Sequence, residues 1–145
     1  MSYCTWHNYG YGFRTDNIHI DSPERVRDLI HLAPDYEAWV LETFSENEIT
    51  TPSLEDYLSL DEDFDNGIAT ILAEVIEEIE HIPLTHCDDF DGSVYLIYQP
   101  TYPWKLTEAE KMLTVEKLDE MLRKYAAIVT DDPIEMDYQE VENGG

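Results

Sequence analysis

The sequence predicts an α+β domain: a small antiparallel sheet, built from an N-terminal strand, a central hairpin and a C-terminal strand, with about five helices packed on one face. Three observations predict it. Strand-like runs stand at both ends of the chain, in Tyr3 to Thr15 and in Ile134 to Val141. Two further β-rich runs meet at an Asp-Gly turn near the middle. Between these, apolar residues recur at helical spacing. The order strand, helices, hairpin, helices, strand suggests one antiparallel sheet with the helices packed on one face. The 145 residues are one domain by length, enough to bury a core.

Each element has its own justification. YCTWHNYGYGFRT, Tyr3 to Thr15, is rich in aromatic residues and reads as one strand, or two bent at Gly10 and Gly12. Ser22-Pro23-Glu24 starts a helix: serine can cap, proline suits the first turn, and glutamate favours the N-terminal dipole. Its apolar stripe is Val26, Leu29, Ile30 and Ala33. Pro34-Asp35 opens a second helix carrying Tyr36, Trp39, Val40 and Phe44. Thr51-Pro52-Ser53 caps a short segment with Leu54, Tyr57 and Leu58. Leu60 to Asn66 is an acidic connector. Gly67 to Ile82 is the central helix, with Ile68, Ile71, Leu72, Val75, Ile76 and Ile79 expected to be buried. The period then shortens to that of strands in Leu84 to Asp88 and Val94 to Tyr98, joined through Asp89-Phe90-Asp91-Gly92. The two prolines of Gln99 to Trp104 predict a loop. Thr107 and Glu110 form a capping box, and Thr114 caps a longer helix through Ile128 that buries Val115, Leu118, Leu122 and Tyr125. IEMDYQEV, Ile134 to Val141, alternates as a half-buried strand should.

The charge is extreme. Thirty-three acids against eight bases give a net charge of −25. A disordered acidic tail is poor in aromatics, whereas this chain has ten tyrosines and three tryptophans. The acids therefore belong to a folded object. Such a surface repels nucleic acid and anionic membranes and attracts basic proteins or metal cations. Cys4 and Cys87 are too few for a disulfide scaffold, so reduced thiols in a cytosol are expected. The N-terminus lacks the basic and apolar regions of a signal peptide, and no apolar run is long enough to span a membrane.

Four motifs invite a chemical reading, and each has a plainer one. DEDFDNG, Asp61 to Gly67, begins like a calcium loop, with Asp61, Asp63 and Asp65 at alternate positions. The glycine and glutamate that an EF-hand needs at its sixth and twelfth positions are Asn66 and Leu72 here. A solvated connector, with Asp65 or Asn66 capping the next helix, is preferred. Cys4, His7, His86 and Cys87 supply zinc-type ligands, but neighbours on a strand point to opposite faces. Buried cysteine and ordinary histidine are preferred. His86 with Asp88 and Asp89 resembles an acid–base group, yet no nucleophile elbow, phosphate loop or zinc-protease motif accompanies it. No catalytic residue, metal or cofactor is assigned. The aromatics Trp6, Tyr9, Tyr11 and Phe13 could stack on bases, but such platforms need a cationic groove and only Arg14 is near.

The distribution of the acids is the strongest functional signal. From Asp28 to Trp104 the chain has nineteen Asp or Glu and no Lys or Arg. The last third holds five of the eight bases, so the bias is regional. LAEVIEEIEH, Leu72 to His81, places Glu74, Glu77, Glu78 and Glu80 on the side of the central helix opposite its apolar stripe. Asp61, Glu62, Asp63 and Asp65 stand beside them, and Asp88, Asp89 and Asp91 form a second cluster at the hairpin turn. Carboxylates at this spacing can meet the lysines and arginines that otherwise meet phosphates.

Three stretches carry a resemblance: TWHNYGYGF (Thr5 to Phe13), DDFDGSVYLIYQPTYPW (Asp88 to Trp104) and DYQEVENGG (Asp137 to Gly145). They resemble segments of small acidic proteins carried by phages and mobile elements of Firmicutes. Those proteins are similar in size and charge to anti-CRISPR and anti-restriction inhibitors. The resemblance implies a non-catalytic, DNA-mimic-like inhibitor acting in the bacterial cytoplasm on the basic groove of a defence nuclease such as a CRISPR nuclease. It brings no catalytic residues. Two alternatives stay open: an acidic accessory or oligomeric interaction domain, and a metal protein or enzyme using Cys4, His7 and His86. The sequence leaves the oligomeric state, including a homodimer, undecided.

Overall fold

The computed structural model describes residues 7–60, 67–89, 91–100 and 103–142, with His7 and Pro103 as backbone only. It is an α+β fold. The elements run β1 (His7–Arg14), α1 (Pro23–His31), α2 (Pro34–Glu46), α3 (Leu54–Leu58), α4 (Ile68–Glu80), β2 (Thr85–Asp88), β3 (Val94–Tyr98), a 3-10 turn (Pro103–Lys105), α5 (Glu108–Lys111), α6 (Val115–Val129) and β4 (Asp137–Glu142). The described helices number six where about five were expected. The expected loop before Lys105 contains the 3-10 turn.

The four strands form one antiparallel sheet in the order β2-β3-β1-β4. The N-terminal strand is thus internal, between one strand of the central hairpin and the C-terminal strand. Tyr11 is opposite Tyr98 on one side and Tyr138 on the other. Alternation sorts the side chains. Phe13 and Leu96 enter the main core beneath the helices, while Cys87, Ile97 and Val141 form a second small core. β1 places glycine on that second face, at Gly10 and Gly12, and both are needed there. A Cβ at Gly12 would lie 1.9 Å from the Leu96 carbonyl oxygen, and one at Gly10 would lie 2.4 Å from that of Tyr98. The missing side chains let the sheet curl, and residues of the edge strands β2 and β4 come within 8 Å of each other at Cα. The curl buries the second core. β1 is a single strand, so the alternative of two strands broken at the glycines does not apply.

α4 lies at the centre of the helix layer, against β2 and β3 on one side and α1, α2 and α6 on the others. Its first turns are buried all round: Ile68, Ala69, Thr70, Ile71, Leu72, Ala73, Val75 and Ile76. A helix apolar on every side is an interior helix. Only its C-terminal half has a polar face. Ile79, expected in the core, is 37% exposed near the C-terminal end of α4. Val115, also expected to be buried, is 43% exposed at the first position of α6.

The caps divide into local and distant ones. Ser53 with Asp56, and Thr107 with Glu110, form reciprocal capping boxes, and Thr114 accepts from the Lys117 amide. Ser22 takes the N-cap position of α1 without a side-chain bond. α2 has Ala33 at its N-cap, and its cap comes from another helix: the Glu78 carboxylate accepts from the amides of Asp35 (3.0 Å) and Tyr36 (2.9 Å). Gly67 is the N-cap of α4; Asp65 and Asn66, expected there, lie outside the described residues. α4 ends at His81 in the left-handed conformation, φ 60°. At the far end of α6, Arg25 donates to the carbonyls of Ala127 and Ile128 and pairs with Asp131, placing a cation at the negative end of that helix.

Candidate functional site

The four glutamates of α4 do not share one role. About 100° of rotation per residue groups Glu74, Glu77 and Glu78 toward α2 and turns Glu80 aside. Glu80 faces α6, where it accepts from the Tyr125 hydroxyl at 2.5 Å and pairs with Lys124 at 3.1 Å. The tyrosine bond, followed by Lys124, holds its carboxyl below the usual range despite partial burial. Glu78 is committed to the α2 cap. The four glutamates expected on the face left by the buried stripe differ in their surroundings: Glu77 is exposed, Glu74 is half-buried, and Glu78 and Glu80 bond to neighbouring helices.

The hairpin turn divides similarly. The Asp89 carboxylate accepts from the amides of Asp91 and Ser93, both at 2.9 Å, and so folds the turn. Asp88 and Asp91 are exposed. Asp61, Glu62, Asp63 and Asp65 lie outside the described residues, as does Cys4. His86 pairs across the ladder with Leu96 of the main core, whereas Cys87 enters the second core, so the two adjacent ligand types are on opposite faces. Among the described residues no group of three or more His, Cys, Asp or Glu could hold a metal ion.

Glu74, Glu77 and Glu78 meet side chains that the sequence reading did not join to them. A groove of about 530 Å³ opens between α2 and α4, lined by Asp35, Tyr36, Trp39, Leu60, Thr70, Glu74, Glu77 and Glu78. The Tyr36 and Trp39 rings stack with centroids 5.8 Å apart and planes 17° from parallel. Trp39, expected on the buried stripe, is 46% exposed. The signal was in the helical angles: Tyr36, Val40 and Phe44 follow one i,i+4 line, and Trp39 sits on its flank. Asp88, Asp89 and Asp91 do not line this groove.

Several cations of the chain form ion pairs away from the groove. Arg14 pairs with Asp16, Arg27 with Asp28, Lys111 with Glu108, and Arg123 with Asp119. Lys124 reaches Glu80 from α6, and so enters the acidic stretch from outside it. What the α2–α4 side offers a ligand is carboxylate beside aromatic surface, which suits a cation. Among the described residues no helix is long and apolar enough to cross a membrane. Comparison with known proteins finds no matching family model, no matching curated protein and no matching solved structure.

Proposed function

We propose that this chain is a non-catalytic inhibitor that captures a basic nucleic-acid-binding protein. Its acidic surface occupies the groove that otherwise holds phosphates. One observation carries the reading: the stretch from Asp28 to Trp104 has nineteen acids and no Lys or Arg, yet its described residues form helices and strands. Like charges on such a surface oppose folding and reward a cationic partner. The sequence resemblance directs the proposal to a defence nuclease, a CRISPR nuclease in particular, met in the cytoplasm of a host bacterium. The carboxylates assigned to contact are Glu74 and Glu77 on α4 with Asp88 and Asp91 at the hairpin. Glu78, Glu80 and Asp89 support them from structural positions.

The test is capture of partners from nuclease-treated host lysate over a salt series, followed by competition with duplex DNA on the purified partner. A nuclease released steeply between about 50 and 200 mM salt, and displaced by duplex DNA, is the expected result. The triple reversal Glu77→Lys, Asp88→Lys and Asp91→Lys should abolish its binding without unfolding the chain, because all three residues are exposed. Unchanged affinity in the triple variant, or a partner indifferent to salt and DNA, overturns the proposal.

A further inference from the structure

We propose that the α2–α4 groove is a receptor for one arginine side chain of the partner; this rests on the reading that the partner is a basic protein. Three observations converge there. The groove is open to the surface and has a volume of about 530 Å³, large enough for a guanidinium and its alkyl stem. One wall is the Tyr36–Trp39 stack, and Trp39 is about half exposed although a tryptophan has much to gain from burial. The other wall is acidic: Glu74 and Glu77, with Asp35 at the groove and the Glu78 carboxylate fixed by its two bonds to α2.

Aromatic face beside carboxylate is the complement of arginine more than of lysine. The guanidinium is planar and weakly hydrated, so it can stack on an indole while its N–H groups reach carboxylates at the ring edge. An ammonium is a compact, strongly hydrated point charge and gains less from the ring. Tryptophan, tyrosine and arginine are also the residues that concentrate binding energy in protein interfaces. The groove favours a cation, since the described residues that line it include four carboxylates and no Lys or Arg. The fixed Glu78 and the packed rings mean that little side-chain freedom is lost on binding, which favours affinity.

The test uses the full chain and two amidated peptides, hexa-arginine and hexa-lysine, titrated by calorimetry at low ionic strength. The Trp39 indole N–H is followed by NMR. The wild-type chain should bind hexa-arginine about fivefold more tightly than hexa-lysine, with the Trp39 signal shifting in step. Trp39→Ala should weaken hexa-arginine binding by about tenfold and erase the preference, and Trp39→Phe should restore part of it. Glu77→Gln, at an exposed position, should weaken hexa-arginine binding, while Glu120→Gln, exposed on α6 and outside the groove, should leave the preference intact. If Trp39→Ala and Glu77→Gln bind hexa-arginine like wild type while wild type binds both peptides, the groove is not the receptor and the capture of basic proteins stands. If wild type binds neither peptide, both proposals fall.

Discussion

At the scale of single residues, the structural theme is the tyrosine–carboxylate pair. Tyr11 donates to Asp119 (2.7 Å), Tyr98 to Glu110 (2.8 Å) and Tyr125 to Glu80 (2.5 Å). These bonds tie the sheet to α6, the sheet to α5, and α6 to α4. The Asp119 bond, with burial, pushes the Tyr11 hydroxyl up to about 12; burial and then the carboxylate raise those of Tyr98 and Tyr125. A group whose folded pKa is raised contributes stability that is complete below its unfolded pKa, near 10, and is lost as pH rises through the folded value. Stability should therefore fall from about pH 10 upward, and a 295 nm titration should show Tyr11, Tyr98 and Tyr125 ionising only with unfolding. Two of the carboxylate partners, Asp119 and Glu80, work with the opposite sign. Glu80 is held below the usual range, first by Tyr125, so its contribution is present above the unfolded pKa and is lost as pH falls through the folded one. Tyr125→Phe should cost about 1.5–3 kcal/mol at pH 7, the worth of a hydrogen bond to a charged group. In urea unfolding the deficit should shrink toward low pH, where Glu80 is protonated in the wild type too; a deficit independent of pH would assign the loss to packing alone. None of these pairs was legible in the sequence, because Glu80 and Tyr125 lie 45 residues apart and periodicity reports only neighbours.

At the scale of elements, what was legible was what is local. Ser53, Thr107 and Thr114 cap helices whose partners lie three residues away, and the sequence showed each. The cap of α2 was hidden because Glu78 reaches it across 42 or 43 residues. The separate roles of the α4 glutamates were hidden for the same reason: Glu78 and Glu80 look like surface charge until their distant partners are known. Glu78→Ala should cost about 1–2 kcal/mol through the lost cap, with Glu78→Gln milder because an acceptor remains. Chemical denaturation checks this, and equal losses in both variants would mean that the carboxylate charge at the α2 N-terminus matters more than its hydrogen bonds. β1 shows the intermediate case. Gly10 and Gly12 were readable as a bend, but the strand pairing that requires them was not. Gly12→Ala would push a methyl into the Leu96 carbonyl region and should cost about 3 kcal/mol. Gly92→Ala, at φ +82° with open space around it, should cost only the left-handed backbone penalty of about 1–2 kcal/mol. Comparable losses at the two sites, measured by thermal unfolding, would remove the steric account of the curled sheet.

At the scale of the molecule, the fold class was readable because it follows from the order of elements, whereas the α2–α4 groove was not, because it needs the packing of two helices. The same packing determines how the charge is borne. The surface excess of acid is regional, while the cations sit in pairs such as Arg25 with Asp131 and Arg123 with Asp119. Screening therefore acts on two opposed sets of interactions. Raising NaCl from about 10 to about 500 mM shortens the Debye length from about 30 Å to about 4 Å. The exposed ion pairs weaken, but each is worth little, about 0–1 kcal/mol. Repulsion summed over a net charge of −25 relaxes at the same time, and the acidic stretch has no Lys or Arg of its own to offset it. Repulsion should win, by a stabilisation on the order of 1 kcal/mol if several like-charge neighbours each contribute a few tenths. The urea midpoint should rise with salt at constant slope, which separates a change in stability from one in compactness. Binding to a cationic partner should weaken over the same range, because the charges that salt relieves in the isolated chain are those the partner neutralises in the complex. A midpoint that stays flat or falls would mean that the acids are compensated within the fold, and the drive toward a basic partner would lose its physical source.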